Sequence, residues 1–416
     1  MMREITPVPG YTGGQYSLFR ILFGAYLAVH FGYLSLYAAE LVSVSGMLPE
    51  GGHSPLLAIA PSLFRLSDAP LTVVLITVSG FLAAVAFAAG RFDRRSAAWM
   101  LLVLISLFAR NPLIANPALP YVGLMLFAHL CLPPAPFGSL AARGRADPAG
   151  DWAMPCPVFA ALVIVLCLSY SYSGYTKLLS PNWVSGDAVA LVMQNPLARD
   201  WFLRDVLLAL PEWVTTFITV FILYVELLFA PLFLFKSLRV WLWSAMLIVQ
   251  FGFLFLLSFP DLTIPMLLFH LLLFDPRWLP RRPLKGATLH YDGECGVCHA
   301  AVRFALAETP RTAAALAFRP MQLDVADVEN AGSWCLVDES GKRFEKTSAV
   351  VRLLEAAGGV WRLCATGLRL TPGFLRDGAY DVLARVRRHL AARPSGLCPV
   401  VSQELAGRFR MGLERE

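Results

Sequence analysis

The sequence predicts an α-helical, multi-pass membrane bundle followed by a small soluble α/β domain. Three observations carry this. Of the 416 residues, 57% are hydrophobic and only 15% charged, against about 25% charged in soluble globular proteins. Long apolar runs fill the chain as far as Phe274, and a membrane-crossing helix needs roughly 20 such residues. Beyond them the pattern turns to short apolar runs, turns and amphipathic helices, and the change coincides with Cys295-x-x-Cys298. The membrane part is read as 1–283 and the soluble part as 284–416.

In chain order, residues 1–15 carry Pro7, Pro9, Gly10, Gly13 and Gly14, and no small-residue cleavage site follows the first apolar run, so no cleavable signal is expected. Spans are expected near 17–41, 70–89, 97–113, 119–132, 158–175, 213–235, 240–259 and 262–274. That is a working count of roughly eight, the fourth and eighth being short enough to tilt or re-enter. With that count, alternate loops divide Lys and Arg 12 to 5. The richer side includes Arg91, Arg94, Arg95, Arg281, Arg282 and Lys285, and the poorer side Arg65, Arg110, Lys177, Arg199 and Arg204. Positive loops stay inside, so the chain is expected in the inner (cytoplasmic) membrane with its C-terminal domain cytoplasmic.

The formal charge is +6, and from Arg281 onward there are 20 Lys+Arg against 15 Asp+Glu. A mildly basic domain beside a membrane is attracted to anionic lipid headgroups. No interleaving of basic and aromatic residues points to nucleic acid. The eight cysteines, 131, 156, 167, 295, 298, 335, 364 and 398, show no metal-ligand framework. A zinc site would have to recruit His299 with Cys335 or Cys364, and no metal is expected.

The most specific chemistry lies at Asp292-Gly293-Glu294-Cys295-Gly296-Val297-Cys298. A short apolar run ending at Tyr291 gives way there to a helical pattern through Val302-Arg303-Phe304. Thiols three apart share a helix face, and a helix N-terminus favours negative charge on sulfur. Such a pair suits reversible disulfide chemistry, and the cytosol keeps thiols reduced. Cys295, read as the more exposed thiol at the turn, would attack a disulfide, and Cys298 would resolve the mixed disulfide. The bland alternative is two buried thiols with no redox role. Asp292 either relays protons to the buried thiol or caps the helix.

Asp292-x-x-Cys295-x-x-Cys298 in this setting resembles the DCC family of thiol-disulfide oxidoreductases. So do the hairpin Trp334-Cys335-Leu336-Val337-Asp338 with Gly341, the helix from Ala349 to Leu354, and the tail from Ala379 through Cys398-Pro399. The resemblance covers roughly 284–401 and implies a thioredoxin-like fold. Thioredoxins place a cis-proline before the strand facing the dithiol, where this chain reads Ala331-Gly332-Ser333-Trp334.

A second informative stretch is Tyr172-Ser173-Gly174-Tyr175-Thr176-Lys177-Leu178, followed by Trp183 and Gly186. Lys177 ends an apolar run, where a lysine either snorkels to the interface or serves as a base in a partly dry site. Tyr170, Tyr172 and Tyr175 could hold a ring beside it, Trp183 could anchor the interface, and Gly186 permits a turn. With Arg20, Arg110-Asn111-Pro112 and Phe274-Asp275-Pro276, these residues resemble the HTTM family, which includes the vitamin K-dependent gamma-carboxylases. The resemblance implies Lys177 as the base toward a hydroquinone, and Tyr175, Trp183 and Gly186 around a quinone or lipid ligand.

Ionisable groups inside apolar runs are costly and are usually paired or functional. Arg20, His30 and Glu226 are such groups, and Arg20 is expected to pair with Glu226. His129 and His270 read as hydrogen-bonded helix residues, Asp187 and Asp200 as solvated loop charges. The expected function is a membrane-bound thiol-disulfide oxidoreductase. Its partners would be membrane lipids, a thiol or disulfide substrate and a quinone as the one implied cofactor. The alternatives are a carboxylase-like enzyme with Lys177 as base, or a lipid-binding or transport protein without catalysis.

Overall fold

The computed structural model describes residues 6–49, 59, 61–310, 316–323 and 334–411. The chain forms two compact units. One comprises Met1–Thr6, Phe19–Leu132 and Pro155–Leu273, the other Pro7–Leu18, Pro133–Met154 and Phe274–Glu416.

The first unit is helical. Its longer helices are α1 (Gly13–Val42), α2 (Pro70–Ala89), α3 (Asp93–Arg110), α4 (Leu119–Leu130), α5 (Cys156–Leu178), α6 (Glu212–Leu227), α7 (Arg239–Leu256) and α8 (Pro260–Leu272). Among the described residues, α1, α2, α5 and α7 are long and apolar enough to cross a membrane. A fifth crossing results if Phe202–Leu208 and α6, which meet at 104°, count as one bent span. The expected count of eight is not confirmed, for physical reasons. At 1.5 Å per residue, α4 with 12 residues and α8 with 13 fall well short of a hydrocarbon layer of about 30 Å. Helix α3 has 18 residues but includes Asp93, Arg94, Arg95 and Arg110.

Small residues bring these helices together. A Cβ on Gly24 would lie 2.6 Å from that of Ala88, so α1 and α2 cross there nearly backbone to backbone. Nearby, Arg20 Nη1 donates to the carbonyls of Phe87 and Ala88, at 2.6 and 2.7 Å, at the C-terminal end of α2. A cation is favoured at that end of a helix. The Glu226 carboxylate, expected to pair with Arg20, pairs with Lys177.

The second unit contains a four-stranded mixed sheet. Strand β1 (Thr288–Tyr291) leads into helix α9 (Gly296–Glu308) and on to β2 (Ala317–Pro320), followed by β3 (Cys335–Val337) and β4 (Arg343–Glu345). The spatial order is β2-β1-β3-β4. Strand β1 runs parallel to β2 and antiparallel to β3, with His290 opposite Arg319 on one side and Cys335 on the other. Strand β3 pairs antiparallel with β4 through the turn at Gly341. Helices α10 (Lys346–Ala357), α11 (Gly359–Leu370) and α12 (Gly373–Leu390) follow.

Leu289, Tyr291, Val302, Leu306, Phe318, Leu336 and Leu353 form the core with both thiols of the Cys-x-x-Cys pair. Two earlier segments complete this unit. Glu308, buried at the end of α9, accepts hydrogen bonds from the Thr12 hydroxyl, from Gly14 N–H at 3.0 Å and from Trp361 Nε1–H at 2.6 Å. Burial pushes its carboxyl above the ordinary range, against the pull of those donors. The Tyr16 ring stacks on Trp152 at 5.2 Å.

Candidate redox site

The site forms where β1 ends and α9 begins. The cap of α9 is a sulfur: Cys295 has an extended backbone, and its Sγ accepts the Cys298 N–H at 3.4 Å. The first-turn N–H groups and the helix dipole thus converge on Cys295. Asp292 does not cap the helix. Its Oδ1 accepts from Glu294 N–H at 3.0 Å and from Gln322 Nε2–H at 2.9 Å, and its Oδ2 lies 3.3 Å from Arg387 Nη2. Gln322 also accepts the Gly293 N–H at 2.9 Å, so one amide holds both ends of the Asp292-Gly293 step.

Cys298 is a free thiol on the inner side of α9. Burial pushes it up to about 12, while an indole hydrogen bond from Trp334 Nε1–H, at 3.4 Å, pulls the other way. The backbone N–H of Trp334 donates in turn to the Tyr380 hydroxyl at 2.9 Å. Burial raises the Tyr380 phenol as well.

The expectation that Cys295 is the more exposed thiol is corrected: both sulfur residues are 1% exposed. The cause is the segment after α12. The Leu397 carbonyl accepts from Tyr291 Oη–H at 3.0 Å and from His299 Nε2–H at 3.2 Å, the latter shared with the Gly293 carbonyl at 2.9 Å. Burial lowers the pKa of His299, in keeping with a neutral ring that donates from Nε2. Two glycines admit this tail. A Cβ on Gly296 would lie 2.4 Å from the Ala392 carbonyl, and one on Gly293 would lie 2.8 Å from that of Leu397.

Cys298, unlike Cys295, lines a cavity of about 440 Å³. Its walls are Val297, Ala301 and Phe304 of α9, Leu353 and Leu354 of α10, Leu383 and Ala384 of α12, and Trp334. The polar side chains on it besides the thiol are Tyr380 and Arg387. Residues 331–333, where the sequence departs from the thioredoxin proline, lie outside the described residues, and Trp334 is the first described residue before β3.

Residues 289–393 match the family model described as DCC1-like thiol-disulfide oxidoreductase. This segment is similar to a DCC1-like domain. It holds the dithiol, Asp292, Trp334, Tyr380 and Arg387. The match does not reach the apolar half, whose HTTM resemblance rests on sequence motifs alone. No curated protein and no solved structure matches the chain.

Sequence reasoning singled out Cys295, Cys298 and Asp292, which this segment brings together. It missed Gln322, Tyr380 and Arg387 as site residues, and read Trp334 only as part of a hairpin. Among the described residues no group of three His, Cys, Asp or Glu side chains is arranged to hold a metal.

The residues of the second stretch lie in the first unit. Lys177 Nζ is 2.5 Å from Glu226 Oε2 and donates to Ser173 Oγ at 2.8 Å, with the Trp183 ring centre 4.9 Å away. Gly174 lets α5 meet the end of α6, since a Cβ there would lie 2.2 Å from Leu227 N. Gly186 has φ +93°, and a Cβ there would also meet Thr216 Cγ2 at 2.5 Å. Tyr172 and Tyr175 are exposed, whereas Tyr170 is buried and accepts from Gln250 Nε2–H at 3.2 Å. Trp183 and Lys177 are thus brought together, and Tyr175 is turned away from buried surroundings.

Proposed function

We propose that the protein is a membrane-bound thiol-disulfide oxidoreductase acting on an apolar substrate admitted to the cavity beside Cys298. The observation that carries this is the placement of a dithiol sulfur in the wall of an otherwise largely apolar cavity inside a DCC1-like domain. Pockets of a few hundred Å³ with few polar groups suit small apolar ligands. A dithiol at the start of the helix of a β-α-β unit supports a thioredoxin-like core.

In the forward direction, Cys295 Sγ attacks a substrate disulfide. One substrate sulfur leaves as a thiolate and takes up a proton. Cys298 then gives up its proton and attacks Cys295 Sγ, forming the Cys295–Cys298 disulfide and releasing the second substrate thiol. Two electrons and two protons pass from the dithiol to the substrate. The first step requires the segment 391–398 to part from the start of α9, so that a disulfide held at the cavity beside Cys298 reaches Cys295, which does not itself line it. Under the eight-span count, the 12-to-5 division of Lys and Arg supports a cytoplasmic dithiol at the inner membrane, where thiols are kept reduced. The α1, α2, α5 and α7 helices support the membrane attachment.

The test uses the full chain, reduced, in maltoside detergent. Lipoamide, an apolar cyclic disulfide, should be reduced faster than glutathione disulfide, which is charged. Cys298→Ser should accumulate a mixed disulfide on Cys295, read by mass. Failure of the reduced protein to exchange with either disulfide would overturn the activity, and a preference for glutathione disulfide would overturn the apolar substrate.

A further inference from the structure

A second cavity lies wholly within the first unit, remote in chemistry from any thiol. It measures about 520 Å³ and is walled by α1, α3 and the first turns of α4 and α8, with Ile114 and Phe259 ahead of them. Most of its lining is aliphatic or aromatic, including Tyr33, Phe108 and Phe259. The exception is a polar cluster centred on Asp261.

Asp261 Oδ1 accepts from the Tyr26 hydroxyl at 2.6 Å and lies 3.1 Å from His30 Nδ1, while Oδ2 accepts from Asn116 Nδ2–H at 2.9 Å. An ionised carboxylate only accepts hydrogen bonds. His30 therefore donates from Nδ1, and in the neutral tautomer the lone pair is on Nε2. That nitrogen is buried and has no hydrogen-bond partner among the described residues. His30 as a whole is 9% exposed and lines the cavity, its ring stacked on Tyr26 at 5.7 Å. Buried polar atoms without partners are uncommon in proteins and call for an explanation.

We infer that this cavity binds an apolar molecule carrying a hydroxyl group, which donates its hydrogen bond to His30 Nε2. Asp261 acts as the positioning residue. It fixes the imidazole tautomer and orientation, and Tyr26 and Asn116 fix Asp261. The apolar walls supply affinity, and the single acceptor supplies the requirement for a hydroxyl. Since an acceptor left unsatisfied carries a penalty, a ligand without the hydroxyl is discriminated against. The proposal is independent of the dithiol chemistry.

The experiment measures binding to the full chain in dodecyl maltoside by equilibrium dialysis, using 4-hexylphenol and its methyl ether, 4-hexylanisole. The phenol should bind about tenfold more tightly or better, the effect expected of a hydrogen bond to a buried acceptor. His30→Phe should abolish that preference while leaving binding of the methyl ether within about twofold, which shows the cavity intact. Asp261→Asn, which frees the ring to change tautomer, should weaken the preference and provides a second reading if the first variant does not fold. Equal binding of the two probes to the parent, no binding of either, or a preference that survives in His30→Phe or Asp261→Asn would overturn the inference.

Discussion

The indole N–H of Trp334 donates to Cys298 Sγ at 3.4 Å, while the Trp334 backbone N–H is held by the Tyr380 hydroxyl at 2.9 Å. One residue thereby ties the resolving thiol to α12. The bond favours the thiolate that must form during resolution, against burial, which disfavours it. Trp334→Phe keeps the aromatic wall and removes the donor. We expect the Cys298 pKa to rise further and mixed-disulfide resolution to slow about fivefold, equivalent to ~1 kcal/mol. Stopped-flow measurement of resolution between pH 7 and 10 checks this. An unchanged rate would remove Trp334 from the chemistry.

The Cys298 shift also sets a direction for stability. Its folded value of about 12 lies above the ordinary 9.0. A buried neutral thiol therefore contributes stability that is fully present below pH 9.0 and is lost as pH rises toward 12. The melting temperature of the parent should exceed that of Cys298→Ala at neutral pH, with the gap narrowing on alkaline titration. A gap that widens above pH 9.0 would contradict the assignment.

The tail after α12 should control access to Cys295. In Gly296→Ala the new methyl would lie 2.4 Å from the Ala392 carbonyl, so the tail has to shift. Such overpacking costs about 1–3 kcal/mol. Native-state alkylation of Cys295 at neutral pH, slow in the parent, should become at least about tenfold faster if the opened tail exposes the sulfur. Loss of stability without faster alkylation would mean that the tail supports the fold without governing the thiol.

Lys177 and Glu226 should behave as a coupled pair. Lys177→Met leaves the Glu226 carboxylate, with a side chain 4% exposed, beside an apolar helix without its cation. Breaking a buried pair from one side costs about 3–5 kcal/mol, and replacing both partners costs far less. Thermal melts of Lys177→Met, Glu226→Gln and the double variant in detergent measure the coupling. Additive losses would show the two to be independent. The same Lys177→Met protein decides whether the lysine also acts as a base, since any quinol-dependent activity would then be lost at a protein level matched for folding.

Much of the framework was legible because its signals are local. A period change at Tyr291 and two thiols three apart are enough to place β1, α9 and the dithiol at their junction. Apolar runs likewise place α2 at Pro70–Ala89, as expected. What escaped depends on convergence over distance. Gln322 and Arg387 reach Asp292 from 30 and 95 residues away, and no spacing rule encodes that. Arg20 and Glu226 have opposite charges in apolar runs, which identifies the need for partners but not which partners. Cys295 looked exposed because a turn usually is, and the covering tail lies about a hundred residues further along. The eight-span count is not confirmed for a reason of length: α4 and α8 are apolar but have only 12 and 13 residues.

The sulfur that caps α9 gives the domain a thermodynamic handle on electron affinity. In the dithiol form, Cys295 Sγ accepts the Cys298 N–H and Cys298 Sγ accepts the Trp334 indole N–H. Joining the two sulfurs changes both acceptors at once. Whatever stabilisation these contacts lose on oxidation appears in the midpoint potential, moving it toward the oxidising end by about 30 mV for each ~1.4 kcal/mol. Helix capping and one tryptophan would thus act as tuning elements for the potential of this dithiol.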